Sequence, residues 1–228
     1  MNSNIVLYIG REQIKFGIES NESAAVHWMG NEKLTDDFQL KTALSTYKEL
    51  AGKDQPVKVI VSQKLVTAIP QFLFSLTDAQ KYLELLNDDT YTLHFASNIV
   101  REEAMVLFWA INDKLYKQIS GYYTQVSYVH NLFYLIENNK TAQRSLIIDA
   151  DINGASIVLL FDKKLQYCNY LPLQTALEIK YFVLNLLQQY EQNASTFELI
   201  LTTENDTVLS NWESVTGFFN ENKAEVSA

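Results

Sequence analysis

Glycine is scarce in this chain: 7 in 228 residues, about half the ~7% usual in proteins. Loops that wrap a phosphate with backbone amides depend on glycine, so the shortage bears on any nucleotide chemistry. Cysteine occurs once, at Cys168, which excludes an intrachain disulfide and fits a reducing compartment. The 18 basic residues are scattered and the net charge is −9, which argues against a nucleic-acid backbone as partner. No long hydrophobic run exists. An apolar-rich stretch such as Tyr181 to Leu187 falls far short of the roughly 20 residues of a membrane span. The opening MNSNIVLYIG has no basic n-region, so no signal peptide is expected. These absences predict a cytoplasmic location, no membrane insertion and no nucleic-acid partner.

What is present is ordinary for a globular protein: 47% apolar and 20% charged residues, enough for a sizeable core. The pattern is one of strands and helices in alternation. Asn4 to Ile9 is apolar on both faces and reads as a central strand. Gln13 to Glu19 alternates, with Ile14, Phe16 and Ile18 on one face, and Ser23 to Met29 makes a third strand. Asp36-Asp37 is an N-cap signal for a helix reaching Gly52. Pro56 to Val61 is a further strand, parallel to the first if the helix is a crossover. Pro70 confines Leu65 to Phe74 to an edge or an irregular segment. Thr77 is expected to cap a short helix, Asn112 and Asn131 two more, with strands at Tyr91 to Ile99, Glu103 to Ala110 and Gln125 to Val129.

The polar run Glu137 to Thr141 marks a boundary, after which the plan restarts. Strands are expected at Ser145 to Ala150, Ala155 to Phe161 and Leu165 to Tyr170, then a helix from Leu173 to Gln192 and a strand at Phe197 to Leu201. A helix is expected after Asn205, and a polar, frayed tail from about 220. A shift of 141 residues lays Tyr8 on Asp149, Gly10 on Asp151 and Ile14 on Ala155. The identities do not repeat; the pattern does. The expectation is an α/β chain of two subdomains, 1–139 and 140–228, each a mixed sheet flanked by helices.

Three strands, helix, strand and helix, occurring twice, resembles the plan of actin-like ATPases, which are built from duplicated ribonuclease-H-like units. The stretch EAMVLFWAINDKLYKQISGYYTQVSYVHNLFYLIE resembles the branch that holds the pilus-assembly protein PilM and the cytoplasmic domain of GspL. A closer resemblance is to an uncharacterised bacterial family, chiefly from Bacteroidetes, known only as a domain of unknown function (family 3822). It is carried by Ala68-Ile69-Pro70-Gln71-Phe72-Leu73-Phe74 with Tyr82-Leu83, and by Cys168-Asn169-Tyr170 with Tyr181 and Leu184.

The actin-like resemblance implies where nucleotide chemistry should lie. The first phosphate loop, Asp-x-Gly followed by Ser or Thr, falls on Tyr8-Ile9-Gly10 and Arg11-Glu12-Gln13, where only Gly10 survives. The second falls on Asp149 to Ser156. There Asp149 keeps the acid and Ser156 offers a hydroxyl, but Asp151 stands where glycine should be. Asn153-Gly154 is also the dipeptide of a tight hairpin turn. The adenosine-binding Gly-Gly turn falls on Thr202-Thr203-Glu204-Asn205-Asp206, which has no glycine.

The resemblance therefore implies a non-catalytic pseudo-ATPase, a protein–protein interaction module with no cofactor. The alternative is a divergent ATPase taking ATP and magnesium through Gly10, Asp149, Asp151 and Ser156. In the PilM branch a groove of the first domain accepts a short segment of a partner, which here points to Pro70, Phe72, Phe74 and Phe95. A homodimer stays open.

Other chemistry is weaker. A two-metal nuclease of ribonuclease-H type would use Asp149 and Asp151 with Asp162, Glu178 or Glu198, but the chain lacks a basic face. His27, His94 and His130 are far apart in sequence and sit in no metal motif. Cys168 reads as a packed or interface thiol rather than a nucleophile.

Overall fold

The structure is a computed structural model; it describes residues 4–10, 13–20, 26–34, 36–51, 55–87, 91–151, 153–203, 216, 219 and 221–226. The chain divides into two compact units, Met1–Tyr134 and Leu135–Ala228.

In the first unit the strands are β1 (Asn4–Ile9), β2 (Gln13–Glu19) and β3 (Val26–Lys33), followed by helix α1 (Asp37–Ala51) and β4 (Val57–Val61). Next come β5 (Val66–Pro70), α2 (Leu76–Leu85), β6 (Leu93–Val100), β7 (Met105–Asn112), α3 (Asp113–Tyr122) and β8 (Val126–His130). A five-stranded sheet has the order β3-β2-β1-β4-β8, so β1 is central, as its two-sided apolar sequence predicts. β4 runs parallel to β1 and β8 parallel to β4. α1 begins where Asp36 Oδ1 accepts the Gln39 amide at 2.8 Å. It buries Leu40, Ala43, Leu44 and Tyr47 at helical spacing and meets β2 through the stacked Phe16–Tyr47 pair, 5.1 Å between centroids. A second sheet, β5-β7-β6, is antiparallel, and β5, which ends at Pro70, is one of its edges.

Helix α4 (Asn131–Asn139) crosses the division between the units. Beyond it lie β9 (Arg144–Ala150), β10 (Ala155–Phe161), β11 (Lys164–Leu171), α5 (Ala176–Gln189), β12 (Glu198–Thr203) and β13 (Glu221–Val226). Their sheet order is β11-β10-β9-β12-β13, position for position the plan of the first unit. The shift of 141 residues is visible in the register. Tyr8 faces Lys15 in one hairpin and Asp149 faces Ser156 in the other. Each hairpin closes on the same bond, Gly10 N to Gln13 O at 2.9 Å and Asp151 N to Gly154 O at 2.8 Å. The core of this unit is Leu146 and Ile148 of β9, Ile157 and Leu159 of β10, Leu199 and Leu201 of β12, and Ile179, Val183 and Leu187 of α5. Each such side chain contributes about 1.5–3 kcal/mol by leaving water.

Three sequence expectations change. The short helix is capped by Ser75, whose hydroxyl takes the Asp78 amide at 3.5 Å, and not by Thr77. The expected frayed tail is paired: Glu221–Val226 runs parallel to β12. A parallel ladder is made by backbone groups, and this strand lies at the edge of its sheet. Of the two tight turns expected in this unit, the one at Asp162-Lys163 is a two-residue turn, both residues left-handed at φ 52° and 62° between the paired Phe161 and Lys164, whereas Asn153-Gly154 lies in the longer connection between the paired Ala150 and Ala155. The helix expected after Asn205 lies outside the described residues.

Candidate functional site

The turn joining β9 to β10 holds a polar cluster centred on Asp151. Asp151 is 7% exposed. Its Oδ1 accepts the amides of Asn153 at 2.6 Å and Gly154 at 3.0 Å. The Tyr170 hydroxyl donates to the same carboxylate, 3.2 Å from Oδ1 and 3.3 Å from Oδ2. Gly154 is required by close packing rather than by conformation: a Cβ there would lie 2.2 Å from the Leu171 carbonyl and 2.7 Å from the Tyr170 hydroxyl. A phosphate entering this turn would find its amides already bonded to a carboxylate. At 4 Å and a surface-like dielectric, two like unit charges repel by about 4 kcal/mol.

Asp149, half-buried on β9, accepts the Thr202 hydroxyl at 2.5 Å. Ser156 faces Asp149 across the hairpin, and its buried hydroxyl has no hydrogen-bond partner among the described residues. Thr203 donates to the Ala150 carbonyl at 3.0 Å, so β12 is tied back to β9 where a glycine turn would follow. Glu204 to Asp206 lie outside the described residues, as do Arg11 and Glu12 of the first loop. There Gly10 closes the turn, and the ring of Tyr8 stands at the acid position, edge-on to Trp28 at 6.4 Å, with the Lys15 ammonium 5.9 Å from its centroid.

Residues 1–215 match the family described as protein of unknown function (DUF3822). The chain belongs to this family. No curated protein matches its sequence significantly. Among solved structures, the DUF3822 chain is similar to a Bacteroides thetaiotaomicron VPI-5482 protein with an actin-like ATPase fold and unknown function. The TM-score is 0.77 at 15% identity, covering 98% of this chain and 91% of that one. PilM of the PilM–PilN type IV pilus biogenesis complex is similar at TM-score 0.59 and 13% identity, covering 97% and 88%. The inorganic polyphosphate/ATP-glucomannokinase of Arthrobacter sp. strain KM follows at 0.51 and 9%, covering 99% and 92%. Identities this low speak to fold alone. The fold of this DUF3822 chain is the actin-like ATPase fold, built from ribonuclease-H-like units.

The remaining candidates are placed as follows. Among the described residues no three His, Cys, Asp or Glu side chains form a group able to hold a metal ion. Glu178 is used in the capping box of α5, taking the amides of Gln174 at 2.9 Å and Thr175 at 3.0 Å, which lower its pKa. Asp162 sits in the left-handed turn. Phe74 and Phe95 pack on Phe108, each 5.7 Å from its ring, in a small core with Leu65, Ala79 and Leu83. Pro70 and Phe72 do not join them; Phe72 is 85% exposed on the turn after β5. Burial pushes the Cys168 thiol up to about 12, which leaves little thiolate for nucleophilic work.

His130, which the sequence places in no metal motif, is fully buried. Its Nε2 bonds the Gln63 carbonyl at 3.0 Å, and its Nδ1 accepts the Leu132 amide at 3.1 Å. Burial lowers its pKa to about 4, against a smaller opposing effect of the Gln63 carbonyl. It is a neutral structural imidazole at the start of α4. Among the described residues no helix is long and apolar enough to cross a membrane.

Proposed function

We propose that this chain is a pseudo-ATPase: a cytoplasmic protein of actin-like fold that binds no nucleotide and works as a protein–protein interaction module. The observation that carries the reading is the Asp151 carboxylate bonded to the Asn153 and Gly154 amides, where a phosphate would otherwise be received. Tyr8 in the acid position of the first loop and the glycine-free Thr202-Thr203 strand end support it. That PilM, a similar structure, is found in a complex with PilN favours a protein as the partner.

A second reading is motivated by Asp149 and the unpartnered Ser156 hydroxyl, the acid and hydroxyl a divergent ATPase would keep for ATP and magnesium. Equilibrium titration with a fluorescent ATP analogue in magnesium separates the two. The pseudo-ATPase reading expects no saturable binding, by wild type or by Asp149→Ala. Saturable binding that Asp149→Ala abolishes establishes the second reading.

A further inference from the structure

The first unit carries a concave feature of a different kind. A cleft of about 390 Å³ opens beside Gly10, within the roughly 300–1,000 Å³ of small binding sites. Its floor is apolar: Ile9 and Leu40 are buried, and Leu34 and Leu115 are half-buried. The N-termini of α1 and α3 contribute to its rim, and a helix N-terminus ordinarily attracts anions.

Both are already capped from within. Asp36 accepts the Gln39 amide and Asn112 accepts the Lys114 amide at 2.7 Å. Lys114, the one cation among the described lining residues, is bound through Nζ to Asp37. Among the described lining residues an anion meets neither an open cap nor an unpaired cation. Among the described lining residues Asp36, Asp37 and Lys114 leave an excess of negative charge, and Asp36 is solvent-exposed.

We infer that this cleft receives a short segment of a protein partner that joins aliphatic side chains to a cation, leucine-and-arginine chemistry. The aliphatic part covers Ile9, Leu34, Leu40 and Leu115, and a guanidinium meets the carboxylates of Asp36 and Asp37, a geometry arginine makes better than lysine. The inference rests on the reading of the chain as an interaction module. A second copy of the chain is the poorer occupant, because each copy carries a net charge of −9.

The test is amide NMR on the labelled full chain, titrated with acetyl-Leu-Arg-Leu-Arg-amide and, as control, acetyl-Leu-Glu-Leu-Glu-amide. The arginine peptide alone should shift Ile9, Leu34, Leu40 and Leu115. Asp36→Asn keeps the helix cap, since asparagine caps as well as aspartate, but removes the charge. It should weaken binding up to ~fivefold at an unchanged melting midpoint. Lys114→Gln, which releases Asp37, should tighten it. Glu84→Gln on α2 should change nothing.

The inference is overturned by an equal response to both peptides, or by no shift at millimolar peptide. It is also overturned by shifts centred on Phe72 and Leu73, or by a loss in Glu84→Gln as large as in Asp36→Asn, which would be bulk attraction to an acidic protein. ATP binding in the assay above would end the pseudo-ATPase reading without touching this result. Capture of a partner elsewhere on the chain would do the reverse.

Discussion

The Tyr170 hydroxyl reaches both carboxylate oxygens of Asp151, at 3.2 and 3.3 Å, and so binds the C-terminal end of β11 to the turn that opens β10. The carboxylate is thereby held in place by a residue 19 positions away. Tyr170→Phe should cost about 1 kcal/mol and Asp151→Ala about 2–3 kcal/mol, the larger loss because two amides, the half-buried Asn153 and the buried Gly154, lose their acceptor. Urea unfolding of both single variants and the double variant gives their coupling, expected at about 1 kcal/mol. Strict additivity would mean that the contact is incidental.

The Asp162-Lys163 turn holds two ordinary residues in the left-handed region. Glycine adopts that region without the Cβ clash, so Lys163→Gly should raise stability by about 1 kcal/mol. A lower urea midpoint for the variant would show that Lys163 makes a compensating interaction.

His130 ties stability to acid. Its pKa is near 6.5 in the unfolded chain and about 4 when folded, so the native state binds fewer protons between these values. The contribution is fully present above pH 6.5 and is lost as pH falls towards 4, reaching about 3 kcal/mol. Denaturant midpoints of wild type and His130→Gln across that window check this. The wild type should show the steeper fall, and parallel curves would contradict the assignment.

Ser145 is fully buried, and its hydroxyl has no partner among the described residues. A buried unpaired hydroxyl costs about 1–3 kcal/mol, set against the small cavity its removal leaves. Ser145→Ala should therefore be neutral or stabilising in thermal unfolding. A clear loss of stability would mean that the hydroxyl is bonded after all.

Much of the fold is legible in the residues because it is written in local terms. Asp36 and Asn112 cap their helices as expected, and the alternation of β2 and β10 gives the shift of 141 that the hydrogen-bonded register repeats. What stays hidden is set by pairing between distant strands. Asn153-Gly154 has the composition of a two-residue turn. Yet Asp151 draws the chain into a longer loop, and Gly154 is needed for its lack of a side chain against Leu171. That Asp151 would meet Tyr170 depends on how β11 pairs with β10, which includes a register shift at Leu159/Leu160. The cleft beside Gly10 joins β1, α1, β7 and α3, and no single window of sequence contains it. The Ser75 cap was readable as Ser-x-x-Asp, but Thr77 stands close enough to compete for the same role.

The most direct test of the pseudo-ATPase claim is a thermal-shift titration of the full chain with MgATP and MgADP to millimolar concentration. A ligand that binds the native state adds about 2.7 kcal/mol at 100 times its dissociation constant, a shift that cannot be missed. With Asp151 already bonded to the turn amides, the account predicts a flat midpoint with either nucleotide. A magnesium-dependent rise in the midpoint, absent in Asp149→Ala, would contradict it.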